Sequence, residues 1–157
     1  MNRHRVIEII CVVFLVCFIF IISRDGNYSD KTVKQVVNAV SAEVNIDELS
    51  SFKKNKVKQE FGIDFAGVDS YVYYASDSVM NVQELMVIKL KEGAKADSIT
   101  EKIEKRVKDK QVLFEGYAPE QSALLKNYVL SVSHGFIFYA VGEEATDALI
   151  LFIETIR

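Results

Sequence analysis

A long apolar run near the start of the sequence constrains this chain more than any other feature. Residues 6–22 form 17 nearly unbroken apolar positions, interrupted only by Glu8. As a helix they would reach about 25 Å, close to the hydrocarbon thickness of a bilayer. Arg3 and Arg5 precede the run and Arg24 follows it. The pattern predicts a transmembrane anchor at residues 6–23 behind a short cytoplasmic tail at residues 1–5.

The same run could instead be a cleaved signal peptide. Cleavage favours small residues just after the apolar core, but bulky Ile21 stands two positions before Ser23. A lipoprotein site needs a small residue before the cysteine, and Cys11 follows Ile10 while Cys17 follows Val16. We therefore predict an uncleaved single-pass anchor in the cell membrane. Basic residues flank the run on both sides, so charge alone hardly favours either orientation. The short basic tail before the run favours a cytoplasmic amino terminus and an extracytoplasmic domain.

Composition limits the chemistry of residues 25–157. This segment has no cysteine, and its 16 basic and 21 acidic residues give a net charge of −5, which disfavours a nucleic-acid partner. The chain has two histidines, and His134 stands at a predicted turn. Phosphate-binding and dinucleotide-binding motifs are absent from the sequence. We predict no catalytic, metal or cofactor-binding residues and no enzyme activity. A carboxylate-dependent hydrolase using Glu115 and Glu120 is the least favoured alternative.

Helical periodicity marks residues 24–65 as a membrane-proximal helical segment. Asp30 is the expected N-cap of a first helix ending near Asn45, with an apolar stripe at Val33, Val36, Val37 and Val40. A weaker helix is expected from Asp47. A basic run follows, which predicts either a solvated surface or a site for an anionic partner: Lys53, Lys54, Lys56 and Lys58.

Residues 66–157 alternate between strand and helix patterns. Strands are expected at 71–75, 83–91, 128–133 and 136–141, the last two joined by a His134-Gly135 turn. Helices are expected from 97 or 98 to 114, at 120–127 and at 144–156. Ile99, Ile103, Val107 and Phe114 form the inner stripe of the first of these helices. Two strand-strand-helix units result. They predict a two-layer α+β domain with a mainly antiparallel four-stranded sheet, and residues 24–157 as one extracytoplasmic unit.

Two groups of residues are candidate sites. Tyr71 and Tyr73 share one strand face by period-two geometry, which predicts either a partner surface or a core position. A second group forms a motif predicted to be a structural turn with Tyr117 packed inward, the alternative being recognition: Gly116, Tyr117, Pro119, Glu120 and Gln121.

Several short motifs resemble a known bacterial family. They include Phe61-Gly62-Ile63-Asp64, Tyr71-Val72-Tyr73, Asn81-Val82 with Glu84-Leu85, and the turn motif at 115–121. In this order they resemble the domain of unknown function 4358, common in Gram-positive lipoproteins and membrane-anchored proteins, over roughly residues 30–155. The resemblance implies an envelope-facing domain and no particular activity. We expect an anchored binding or interaction protein with an envelope protein or cell-wall partner. A small subunit of a larger membrane complex is the alternative.

Overall fold

Five antiparallel strands form one sheet at the centre of the molecule. A computed structural model describes residues 28–157. The strands are β1 (Ser50–Ser51), β2 (Val68–Ala75), β3 (Glu84–Leu90), β4 (Val129–Ser133) and β5 (Phe136–Val141), in the order β1-β2-β3-β5-β4. The helices are α1 (Val33–Val40), α2 (Lys54–Phe61), α3 (Asp97–Glu115), α4 (Pro119–Lys126) and α5 (Ala145–Ile156). A 3-10 turn occupies Ile46–Glu48.

Helices cover both faces of the sheet, so the predicted two-layer arrangement is wrong. On one face Met86 and Ile88 of β3 pack beneath α2, α3 and α4. On the other face Leu85 and Val87 pack against α1 and α5. Because successive side chains point to opposite faces, a strand that is apolar at every position needs a cover on both. The valine stripe of α1 supplies part of the second cover.

The sheet has one strand more than predicted. The added strand, β1, pairs Ser50 with Ala75 and Ser51 with Tyr74, and the Phe52 amide then donates to the carbonyl of Tyr73 at 2.9 Å. Two serines carry no alternating hydrophobic pattern, so periodicity does not reveal this strand. The other four strands and their antiparallel pairing agree with the prediction.

The helices in the amino-terminal part of the described chain differ from the predictions. Thr32, not Asp30, caps α1: its hydroxyl accepts from the Gln35 amide at 3.2 Å, and the Gln35 side chain accepts from the Thr32 amide at 2.8 Å. This reciprocal pair is a capping box. The segment after Asp47 forms only the 3-10 turn. The lysine run lies on α2 and at its N-cap, Lys53.

The described chain begins at the end of the sheet where β3 finishes. The Tyr28 hydroxyl donates to the carbonyl of Lys91 and accepts from the amide of Gly93, both at 3.0 Å. The Ser29 amide donates to the carbonyl of His134 in the β4–β5 turn at 3.0 Å. Glu84, the first residue of β3, lies at the opposite end of the sheet. Chain entry and the start of β3 are therefore separated by the length of a seven-residue strand, about 23 Å.

Among residues 28–157, no helix has both the length and the hydropathy of a membrane span. The anchor predicted at residues 6–23 and the tail at residues 1–5 lie outside the described residues.

Candidate functional site

A cleft of about 340 Å³ opens at the end of the sheet where β3 begins. Its walls are α2, the carboxyl-terminal half of α3 and the loop between β2 and β3. Most lining residues are polar or charged, and Phe52, Ala75 and Val79 add apolar surface. The cleft is therefore a depression of mixed polar and apolar surface beside the hydrophobic core.

Glu84 lies at the floor of this cleft with its side chain only 3% exposed. Its position at the start of β3 directs the side chain to the same face as Met86, beneath α3. Arg106 binds it with both guanidinium branches, Nη1 to Oε2 at 2.7 Å and Nη2 to Oε1 at 3.0 Å. Lys110 Nζ donates to Oε1 at 2.6 Å, and the Tyr139 hydroxyl donates to Oε2 at 3.0 Å. All four hydrogen bonds are donated to the same buried carboxylate.

Arg106 connects Glu84 to the wall of the cleft. Its guanidinium also donates to Glu60 Oε2 on α2 at 3.2 Å and to the Tyr73 hydroxyl at 3.5 Å. The guanidinium carbon lies 4.2 Å from the centre of the Phe61 ring, a cation–π contact. Arg106 and Lys110 are four residues apart, so they project from the same side of α3. The ion network therefore joins three elements: α2, α3 and β3.

The two cations keep Glu84 ionised despite its burial. Burial raises the pKa of this carboxyl, but the charges and hydrogen bonds of Arg106 and Lys110 outweigh that effect and lower the pKa below its usual value. Burial and the charge of Glu84 raise the pKa of Tyr139, so its hydroxyl remains a donor. The pKa of Glu60 is lowered chiefly by its hydrogen bond from Lys56, against a smaller opposing effect of burial. At neutral pH both carboxylates of the network, Glu84 and Glu60, are thus ionised.

This arrangement is suited to binding rather than to proton transfer. Glu84 already accepts four hydrogen bonds, which leaves its oxygens little capacity to act as a base. Lys110 has Glu84 as its one hydrogen-bond partner among residues 28–157 and is 20% exposed at the cleft. Lys56, 45% exposed, pairs with Glu60 at 2.8 Å on the facing wall. The cleft therefore offers ammonium groups to a ligand.

The two predicted tyrosines occupy different environments on the sheet face that α2, α3 and α4 cover. Tyr73 is 2% exposed, with its ring 5.7 Å from Phe52 and 5.2 Å from Phe61 between centroids. It belongs to the core, which is one of the two alternatives drawn from the sequence. Tyr71 is half-buried at the margin and packs on Phe65 at 4.9 Å. A partner contact by Tyr71 stays a prediction.

The turn motif forms the connection between α3 and α4. Tyr117 is 57% exposed, so the prediction that it packs inward is wrong. Phe114 takes the inward position as the last residue of the α3 stripe, and Tyr117 lies on its outer side at 5.2 Å. Pro119 is the first residue of α4, as its fixed φ favours.

Other residues of the motif and its neighbourhood lie apart from the cleft floor. The Gln121 side chain accepts from the Val82 amide at 2.9 Å and so ties α4 to the segment before β3. Gly116 keeps a negative φ of −87°, and Glu120 is exposed in the first turn of α4. Neither Glu115 nor Glu120 lines the cleft, and Glu115 pairs with Lys126 at 3.5 Å.

The sequence patterns do not reveal the three residues that make this site. Glu84 lies in a predicted strand, and Arg106 and Lys110 lie in a predicted helix. The available signal was a carboxylate in an inward register with Met86 and Ile88, because such a group requires a partner. In residues 28–157 there is no cluster of three histidine, cysteine or acidic side chains suited to a metal ion.

The fold and site define a small α+β domain with a charged cleft beside its core. The family model described as "Domain of unknown function (DUF4358)" matches residues 41–142, and the chain belongs to this family. The resemblance predicted from the motifs is therefore confirmed. The matched range contains all five strands and the whole cleft, but not α1 or α5. No curated protein and no solved structure matches the chain.

Proposed function

We propose that this chain is a membrane-anchored extracytoplasmic binding protein of the cell envelope, and that the cleft around Glu84 is its binding site. One observation carries the proposal: the ion network around buried Glu84 lies at the floor of an open cleft. This function agrees with the family membership and with the anchor predicted at residues 6–23.

The energetics of the network favour a binding role over a purely structural one. Taking a carboxylate and two cations out of water is costly, and apolar side chains of similar volume often stabilise a fold as well or better. Charged groups held rigidly beside a cleft instead provide a preorganised surface that loses little entropy on binding. Arg106 is held by Glu84, Glu60 and the Phe61 ring, so its position is strongly restrained.

The position of the cleft supports an envelope partner. Tyr28 is held at the end of the sheet opposite Glu84. Only residues 24–27 separate it from the predicted anchor, and four extended residues span at most about 14 Å. An anchored chain would therefore hold the entry end near the bilayer and direct the cleft away from it. A ligand in the envelope, rather than the lipid surface, would meet the cleft.

Photo-crosslinking from two positions tests this function in intact cells. A photoreactive residue at Val79, which is 86% exposed and lines the cleft, should give a specific adduct in the full-length chain. Glu84→Gln should abolish that adduct at a temperature where the variant stays folded, because Arg106 and Lys110 would lose the carboxylate that holds them at the cleft. The comparison position is Ile150, 51% exposed on α5 across the sheet. No adduct from Val79 in any growth condition would contradict the proposal.

Protease added to protoplasts tests the topology. The full-length chain should be degraded from outside while a membrane-embedded fragment near residues 1–27 remains. Protection of residues 28–157 in sealed protoplasts, with degradation after lysis, would contradict the extracytoplasmic location.

A small subunit of a larger membrane complex is the second candidate function. One observation favours it: the outer side of α5 exposes Ile150, beside half-buried Leu149 and Ile153. Such apolar surface is typical of a protein contact. Strong adducts from Ile150 together with none from Val79 would select this function over the cleft.

A further inference from the structure

The charges of the cleft indicate what kind of ligand it takes, and this inference rests on the proposed function. We infer that the cleft binds a carboxylate-bearing peptide, whose carboxylate is held between the ammonium groups of Lys110 and Lys56. These lysines lie on facing walls of the cleft, Lys110 on α3 and Lys56 on α2.

The ion network itself carries an excess of positive charge. It comprises three cations, Lys56, Arg106 and Lys110, and two carboxylates, Glu60 and Glu84. This excess is notable because residues 25–157 are acidic, with a net charge of −5. Asp77 also lines the rim, where the Ser50 hydroxyl binds it, and it makes no ion pair within residues 28–157. Counted with Asp77, the cleft lining has no net charge, so the positive excess is confined to the network, and an anion bound there would neutralise it.

The hydrogen-bond donors left for a ligand belong to the lysines. An ammonium group has three N–H donors, and within residues 28–157 Lys110 and Lys56 each engage one acceptor. Arg106 is 12% exposed and already binds Glu84, Glu60 and Tyr73. Glu84 holds Lys110 in place without saturating it. Each of these ammonium groups can therefore donate to an oxygen of a carboxylate that enters the cleft.

The rest of the lining suits a peptide chain. The Ser76 and Ser78 hydroxyls accept from loop amides, and their own O–H groups can donate to a peptide carbonyl. Val79 adds exposed apolar surface, and Leu113, 64% exposed, lies one turn beyond Lys110 along α3. A volume of about 340 Å³ is near the lower end of the range for small-ligand sites. The cleft therefore accommodates a short stretch of chain beside the carboxylate.

Calorimetric titration of the full-length chain in mild detergent tests the ligand class with three peptides. Acetyl-trialanine with a free carboxyl terminus should bind at least about tenfold more tightly than its carboxyl amide. Acetyl-Ala-Glu-Ala amide separates the two sources of a carboxylate: binding like the free acid indicates an acidic side chain, and binding like the amide indicates a chain terminus. Equal binding of free acid and amide, or binding of neither, overturns the inference.

Lysine variants test whether the two ammonium groups are responsible. Lys110→Met should weaken the free acid about tenfold and leave the amide unchanged, with Lys108→Met, exposed on the same helix, as control. If Lys110→Met lowers the melting temperature, Lys56→Met is the variant to test, because the Lys56 side chain is 45% exposed and its loss should disturb the fold less. Unchanged free-acid binding in folded Lys110→Met and Lys56→Met chains overturns the inference.

The two proposals can fail separately. A Val79 adduct that depends on Glu84, combined with no preference for free carboxylates, would retain the binding cleft and reject the ligand class. Absence of both the adduct and peptide binding would reject the two proposals together.

Discussion

Replacing Glu84 by glutamine should destabilise the domain strongly, because it removes the buried carboxylate and keeps the two cations that bind it, Arg106 and Lys110. The substitution preserves the shape of the side chain, so no cavity forms. Arg106 and Lys110, 12% and 20% exposed, would then face a neutral amide. The NH2 group of that amide has only N–H donors, so it would face the N–H donors of Arg106 or Lys110 with no acceptor between them.

The magnitude follows from the burial of each partner. Breaking a buried ion pair by removing one member costs about 3–5 kcal/mol. Glu84 is nearly inaccessible, but Arg106 and Lys110 retain some contact with solvent, so we expect the lower end, about 3 kcal/mol. For a domain of this size that corresponds to a melting temperature about 10 °C lower.

Urea unfolding and thermal melting of the full-length chain, followed by far-ultraviolet circular dichroism, measure this loss. Glu101→Gln, an exposed carboxylate on α3, is the matched control and should change stability by less than about 0.5 kcal/mol. A Glu84→Gln loss no greater than that of the control would refute the buried network.

A variant without the three most buried charges separates stability from function. The triple variant Glu84→Met, Arg106→Met, Lys110→Met should be more stable than Glu84→Gln, since it removes the desolvation costs of all three charges, although it leaves the Tyr139 hydroxyl without its acceptor. A triple variant that is less stable than Glu84→Gln alone would show that the charges themselves stabilise the fold. The energetic argument for a binding role would then be wrong.

Three further predictions concern the rest of the fold. Because the folded state lowers the pKa of Glu84 below its usual value, its stabilising contribution is complete above the pKa of an unfolded glutamate. It should be lost as the pH falls through the lowered pKa of the folded state, seen as a steeper acid decline in melting temperature than in Glu84→Gln. Gly135→Ala should destabilise the domain by about 1–2 kcal/mol or more in urea unfolding, since Gly135 has a φ of +79° and a methyl group would overlap the Tyr28 ring. The control Gly116→Ala should be neutral or slightly stabilising, because Gly116 has a negative φ and open space around it. Tyr117→Ala should cost less than about 1 kcal/mol, because the ring is mostly exposed, and a loss near 3 kcal/mol would show that it packs inward after all.

The hydrophobic pattern predicted which residues are buried better than it predicted what covers them. The predicted inner stripe of α3, Ile99, Ile103, Val107 and Phe114, is buried throughout. The valine stripe of α1 is also buried, against the second face of the sheet. Periodicity within one helix identifies its apolar side and carries no information about its partner. The two apolar faces of β3 contained that information, because a central strand with both faces apolar requires two covering layers.

Glu84 could have been recognised only by combining a strand register with the chemistry of a distant helix. In isolation it is an acidic residue at the first position of a strand, where exposure is common. Its partners follow 22 and 26 residues later, on a helix whose other charges form ordinary surface pairs such as Lys105 with Asp109. Local spacing rules pair neighbours along one helix and cannot distinguish Arg106 and Lys110 from the rest. The register does distinguish Glu84: it lies across from Ala75 and Val141, both buried, so its carboxylate is directed into the core. A buried carboxylate requires cations within reach, and α3 is the helix that the apolar neighbours of Glu84 place over it.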